Sequence, residues 1–316
     1  MMTKATTLPK PLRGIVPPML TPLADRDTLD VAGLERLIEH ILAGEPAGLF
    51  ILGTSGEGPS LGYRLRQELI GRVAELVAGR VPVLVGVTDT SFADSVNLAE
   101  YAADEGAAAV VLAPPPYFPV KQRDLLAYVE QMAEALPLPL FLYNMPSHSK
   151  LAYEPETVRR AIEIPNIVGL KDSSGDMTYF ARVRELTARR PDFSLLIGPE
   201  ELLAEAVLLG AHGGVSGGAN LCPKLYIDLY QAAAAGDLAR TADLHARVMR
   251  ISGGIYTVDQ GSPGVIKGLK CALRWLGVCS DLVAEPLQPL AEWESETIRK
   301  RLIELELAPY FNSNVT

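Results

Sequence analysis

The 316-residue chain is 48% hydrophobic by count and carries 29 Lys and Arg against 38 Asp and Glu, a formal net charge of -9. That composition supplies a core for one large domain plus a smaller one and argues against nucleic acid as partner; no apolar run reaches the ~18 residues of a membrane span. A small metabolite is the expected partner. The start, Met1 to Lys10, has no apolar core of a secretory signal, which predicts a cytoplasmic chain.

Strand and helix signals alternate from there on. Arg13 to Leu23 reads as a strand running into a loop, and Asp30 stands where an N-cap would precede Val31, Leu34, Leu37, Ile38 and Ile41 at helical spacing. Ala47 to Leu52 is a fully apolar second strand, followed by Gly53-Thr54-Ser55-Gly56-Glu57-Gly58 and a helix from about Arg64 to Val77. Val81 to Val87 is the third strand, with a helix from Phe92 to Ala103. Ala109 to Leu112 is the fourth; it runs into a proline-rich segment ending in Tyr117-Phe118-Pro119, and Leu125 to Ala135 has helical periodicity. Leu138 to Tyr143 is the fifth strand, and Ile164 to Lys171 the sixth. Phe193 to Gly198 is the seventh, with a helix from about Glu200 to Leu209, and Gly213 to Gly218 is a short eighth before a helix near Pro223.

Apolar strands alternating with helices are what a parallel sheet buried on both faces requires, and crossover connections bring every strand's C-terminal end to one face. Eight such units point to a (β/α)8 TIM barrel rather than an open doubly wound sheet. The first strand leads into Pro17-Pro18-Met19-Leu20, which is nothing like a glycine-rich phosphate loop. From about Asp237 strand signals stop, and helical stretches follow at Asp237 to Arg250, Pro263 to Leu276 and Leu290 to Leu307. The predicted organisation is a barrel over 1–236 and a C-terminal three-helix appendage over 237–316. Cys222, Cys271 and Cys279 have no C-x-x-C spacing, and His40, His148, His212 and His245 form no ligand pair, so neither disulfide framework nor metal site is expected.

Barrel chemistry gathers at the C-terminal ends of the strands, where four stretches stand out. Gly53-Thr54-Ser55-Gly56-Glu57 can bring hydroxyls and backbone N–H groups to a carboxylate, or cap a helix. Tyr143 closes an apolar strand, either as plain core or with its hydroxyl aimed into the mouth to move a proton. Lys171 ends the sixth strand before the polar turn Asp172-Ser173-Ser174-Gly175-Asp176. A lysine held among apolar neighbours loses its proton more readily, and its free amine attacks carbonyls, so Lys171 is a candidate Schiff-base nucleophile. The glycines of Gly213 to Gly218 let a ligand or another backbone come close.

Together these stretches resemble the dihydrodipicolinate synthase and N-acetylneuraminate lyase family of pyruvate-dependent class I aldolases. The motifs G-T-S-G-E at Gly53, Y-N-x-P at Tyr143 and G-x-K-D-S-S-G-D at Gly169 occur in order, and the similarity runs from about Arg13 to Leu307. The resemblance implies a homotetramer using no metal and no organic cofactor. It also implies that Lys171 forms an imine with pyruvate or another 2-oxo acid, Tyr143 relays the proton, Thr54 and Ser55 hold the substrate carboxylate, and Val215 lines the site.

Departures from the pattern bear on the second substrate. The synthase branch usually has an arginine two residues after the proline of Y-N-x-P, where this chain has His148, a poorer partner for a carboxylate. Where that branch tends to carry paired tyrosines, this chain has Tyr117, a candidate relay or subunit contact. Glu200 and Glu201 resemble the acidic pair with which sugar-acid lyases hold hydroxyls, although carboxylates also suit any helix start. The expected substrate is a 2-keto-3-deoxy sugar acid or similar 2-oxo acid; the alternative is 4-hydroxy-tetrahydrodipicolinate synthase activity on aspartate semialdehyde. A dehydratase using the same imine, or a non-catalytic 2-oxo acid sensor, are further readings.

Overall fold

A computed structural model describes residues 7–259 and 262–307. Residues 1–6, which include most of the segment read for a leader, and 308–316, the end of the C-terminal segment, lie outside the described residues.

Eight parallel strands form the sheet: β1 (Gly14–Ile15), β4 (Leu49–Ile51), β5 (Val83–Gly86), β6 (Ala109–Leu112), β7 (Leu140–Asn144), β8 (Ile167–Asp172), β9 (Ser194–Ile197) and β10 (Gly213–Gly214). Between β1 and β4 the chain makes a two-stranded antiparallel hairpin, β2 (Leu23–Asp25) with β3 (Thr28–Leu29), where the sequence suggested only a loop. The sheet runs in the order β1-β10-β9-β8-β7-β6-β5-β4. Its two ends meet: Ala47 N–H donates to the Ile15 carbonyl at 2.8 Å, Phe50 N–H to Pro17 at 3.0 Å, and Met19 N–H to Phe50 at 2.8 Å. The barrel is thereby closed, with Pro18 bridged to Phe50.

Strand alternation divides the apolar residues into two layers. Val16, Phe50, Val111, Phe141, Leu196 and Val215 fill the barrel, and the segment before β1 adds Leu8 and Leu12 to the same cluster. Leu12 N–H donates to Ser194 Oγ at the start of β9, which fixes this plug at the N-terminal end. The outward residues pack beneath helices whose apolar faces are continuous with them. Helix α1 (Val31–Leu42) is representative: Asp30 caps it by accepting from Gly33 N–H, and Leu34, Leu37, Ile38 and Ile41 are buried.

The connections that follow are α2 (Tyr63–Val77), α3 (Phe92–Asp104), α4 (Gln122–Ala135), a short α5 (Pro146–Ser149), α6 (Pro155–Ala161), α7 (Met177–Thr187), α8 (Leu203–Leu208) and α9 (Pro223–Ala234). After β10 no further strand occurs among the described residues, and α10 (Leu238–Ile255), α11 (Ser262–Trp275) and α12 (Glu292–Glu304) complete the chain. The segment between α11 and α12 reaches the catalytic face. Ser280 N–H bonds to Asp30, and Ala284 N–H donates to Glu57 in the loop after β4. No helix among the described residues is long and apolar enough to cross a membrane.

Candidate active site

The site is built on β7 and β8. Their register pairs Leu140 with Ile167 but Phe141 with Gly169, so Val168 is an extra residue, and from there Tyr143 lies opposite Lys171 and Asn144 opposite Asp172. Phe141, Gly169, Tyr143 and Lys171 accordingly share the inner phase. A Cβ on Gly169 would come within 2.2 Å of the Phe141 ring, so this position admits no side chain while that ring fills the barrel. Outside the barrel, Asn144 Nδ2 donates to Asp172 Oδ1 at 2.9 Å, and Asn144 Oδ1 accepts from Tyr153 N–H. Asp172 also accepts from the backbone and hydroxyl of Ser174. Burial raises the Asp172 pKa against those donors. The two strand ends carrying the amine and the phenol are thus tied together one residue beyond them.

Lys171 is 6% exposed, and its Nζ lies 4.1 Å from the centre of the Tyr143 ring and 5.1 Å from that of Phe50. Phe50 and Tyr143 meet edge to face at 6.4 Å. The amine is therefore walled by two aromatic rings. Tyr143 continues the chain of contacts, its hydroxyl 3.2 Å from Thr54 Oγ1. Thr54 is held by a compact turn: Gly58 N–H donates to the Gly53 carbonyl, Glu57 N–H to Thr54, and Thr21 Oγ1 to Gly56. Gly53 lies so close to Phe50 that a Cβ would meet its ring at 2.5 Å.

Glu57, in a left-handed conformation at φ 55°, forms a fully buried ion pair with Lys270 of α11. Lys270 Nζ also donates to the Leu282 carbonyl at 2.6 Å, and Ala284 N–H to Glu57 Oε2 at 2.6 Å. The last residue of G-T-S-G-E thus anchors the hydroxyl loop to the C-terminal helices. Sequence reasoning assigned no role to Phe50, Asn144, Asp172, Glu57 or Lys270. Three of these sit within or beside the quoted motifs, but Lys270 carries no local signal of its partner.

Of the sequence-predicted residues, Lys171, Tyr143, Thr54, Ser55, Val215, His148 and Glu200 line one cavity of about 180 Å³. Gly53 lines an adjoining cavity of about 420 Å³, which shares Thr54, Tyr143, Met145 and His148 with the first. Val215 is pinned by its N–H on the Ile197 carbonyl at 2.8 Å. His148 stands on α5 with Nδ1 2.9 Å from Ser147 Oγ; partial burial, then Lys150 and Lys171, lower its pKa. Glu200 is buried, with Oε1 accepting from the hydroxyls of Tyr226 and Tyr256 at 2.5 Å each, and Oε2 from Gly218 N–H at 2.7 Å. Burial outweighs these donors and pushes its pKa up to about 7. Tyr117 lines neither cavity: it is 86% exposed, at φ 86°, with its ring against the equally prominent Phe118.

A buried amine, a phenol and a hydroxyl in line at the mouth of a closed barrel are the parts of imine chemistry, and comparison with known proteins points the same way. The sequence model of the dihydrodipicolinate synthetase family matches residues 11–305. The chain belongs to that family. It is a carbon–carbon lyase of the pyruvate-dependent class I type. A 4-hydroxy-tetrahydrodipicolinate synthase of Methanopyrus kandleri is 32% identical over 300 residues, covering 94% of this chain and 98% of that one. A dihydrodipicolinate synthase structure from Bacteroides thetaiotaomicron is 52% identical with a TM-score of 0.90, over 93% of this chain and 99% of that chain. YagE, a prophage protein of this family from E. coli K12 solved in complex with pyruvate, is 30% identical with a TM-score of 0.88, over 93% and 99%.

Proposed function

We propose that this family member binds pyruvate, or a 2-oxo acid that contains it, as an imine on Lys171. The observation that carries the reading is the Lys171 amine buried against the Tyr143 and Phe50 rings, with the Tyr143 hydroxyl on Thr54. The amine adds to the keto carbon and water leaves. Loss of a proton from the methyl carbon gives an enamine, whose carbon attacks an aldehyde, and the new alkoxide takes its proton from Tyr143. Water then releases the 4-hydroxy-2-oxo acid and restores the amine; cleavage is the reverse. Thr54 and Ser55 hold the carboxylate, Thr54 orients the phenol, and Val215 and Gly53 shape the backbone around the bound acid.

The enamine step can be read without knowing the aldehyde. In heavy water the protein is expected to exchange the pyruvate methyl protons for deuterium, followed by proton NMR, and Lys171→Met to abolish the exchange. Exchange at the wild-type rate in Lys171→Met overturns the reading.

Two acceptors were read from the sequence. The synthase reading is favoured by the names of the curated relatives. It needs a cation for the semialdehyde carboxylate, yet His148 has its pKa lowered and Lys150 Nζ donates to the Ser147 carbonyl. The sugar-acid reading rests on Glu200 and Glu201, but Glu200 is occupied by Tyr226, Tyr256 and Gly218, and Glu201 accepts from Ser252. We further propose a cytoplasmic homotetramer in which the exposed Tyr117 and Phe118, 86% and 73% accessible, supply a subunit contact. In this reading the C-terminal domain begins after Gly236.

A further inference from the structure

The cavity of about 420 Å³ beside the nucleophile is within the ~300–1,000 Å³ range of small-molecule sites. It meets the Lys171 cavity at Thr54 and Tyr143, so a molecule seated there presents one end to a carbon bound on Lys171. Its wall is unusual in composition. Pro59, Pro114, Pro116, Pro263 and Pro286 contribute to it, and each proline removes a backbone N–H donor. Between them lie Met145, Ile266 and Leu287, drawn from the loop after β7, from α11 and from the segment after it.

No Lys or Arg is among the residues lining this cavity. Its one carboxylate, Glu57, is matched by Lys270, and its one imidazole, His148, is held with lowered pKa beside Lys150 and Lys171. A second carboxylate placed there would be desolvated without a counter-charge, and a polyhydroxylated chain would leave several hydroxyls facing proline and aliphatic carbon.

We propose that the aldehyde partner of this enzyme is neutral and apolar, an aromatic or branched aliphatic aldehyde held in the proline-walled cavity. The inference rests on the imine reading and names its second substrate. The enamine carbon bonds to the aldehyde carbon, the carbonyl oxygen becomes the product hydroxyl with a proton from Tyr143, and hydrolysis of the imine returns Lys171. Pyruvate and R-CHO give R-CH(OH)-CH2-CO-COO⁻ with no atom or electron unaccounted for. The polar handles at the junction, Thr54 and Tyr143, face the reacting end, and the wall meets R.

The test measures kcat/KM for condensation with pyruvate using benzaldehyde, 3-methylbutanal, aspartate semialdehyde and glyceraldehyde, alongside methyl-proton exchange of pyruvate alone. The two apolar aldehydes are expected to exceed the other two by at least about tenfold, the scale on which a hydrophobic pocket discriminates. Leu287→Asp is expected to raise KM for benzaldehyde by about tenfold or more. Preference for the semialdehyde or for glyceraldehyde, or an unchanged KM in Leu287→Asp, overturns the assignment of the cavity. So does condensation with none of the four while exchange proceeds. Loss of exchange itself would instead sink the imine reading.

Discussion

Tyr143 and Lys171 are register partners on neighbouring parallel strands, and the lysine nitrogen lies 4.1 Å from the centre of the tyrosine ring while the phenol oxygen reaches Thr54. The amine and the proton carrier therefore occupy one rigid strand pair, whereas the third member comes from a loop three strands away. Tyr143→Phe keeps the ring against the amine and removes only the hydroxyl. It is expected to lower kcat by roughly 10²–10⁴, the range for a lost acid–base group, while reduction of a pyruvate imine onto Lys171 still proceeds. Thr54→Val leaves the phenol in place without its partner and is expected to cost less than Tyr143→Phe. Steady-state kinetics of both variants would show the order; a larger loss in Thr54→Val contradicts a role through Tyr143.

The Glu57–Lys270 pair makes the hydroxyl loop depend on α11. Removing one partner of a buried ion pair leaves a charge without compensation, at a cost of about 3–5 kcal/mol. Lys270→Met should reach that loss in denaturant unfolding. Adding Glu57→Gln, which keeps an acceptor for Ala284 N–H, should recover part of it. A single variant within about 1 kcal/mol of the wild type would mean that the pair is not what fastens the loop.

Gly169 is a packing requirement of the barrel interior. Its Cβ would collide with Phe141 at 2.2 Å, so Gly169→Ala must move that ring or the strand carrying Lys171. A loss of about 1–3 kcal/mol is expected from overpacking, with activity falling further than stability accounts for. Thermal unfolding and turnover measured on one sample would test both halves.

Glu200 introduces a pH dependence whose sign follows from burial. Its folded pKa is pushed up to about 7 from an ordinary 4.5, so the folded state holds a proton that the unfolded state has lost between those values. Its contribution is full below about pH 4.5 and declines through pH 7, by up to ~3 kcal/mol. Relative to Glu200→Gln, the wild type should thus lose stability as pH rises across that window and run parallel above it. Parallel curves from pH 4 to 8 would contradict the raised value.

The strands were legible because both faces of a barrel strand are buried, so Phe50, Val111 and Leu142 sit in short unbroken apolar runs. The motif residues Thr54, Tyr143 and Lys171 could be placed at strand ends for the same reason. The hairpin was not legible, since Leu23–Asp25 and Thr28–Leu29 are too short to show alternation. Helices α6 and α7 escaped notice too: one is seven residues opening with Pro155, and the other buries only Phe180, Val183 and Thr187. Glu200 looked like an open carboxylate because Tyr226 and Tyr256, which hold it, come from helices far along the chain. The partnership of Glu57 with Lys270 was invisible on the same ground: an ion pair across a fold leaves no spacing to read.

The most direct measurement is reduction with borohydride in the presence of pyruvate, followed by peptide mass spectrometry. The account predicts one reduced pyruvate group per chain, on the peptide containing Lys171 and absent from Lys171→Arg. A chain that gains no mass, or gains it at Lys150, Lys270 or any other lysine, would contradict it.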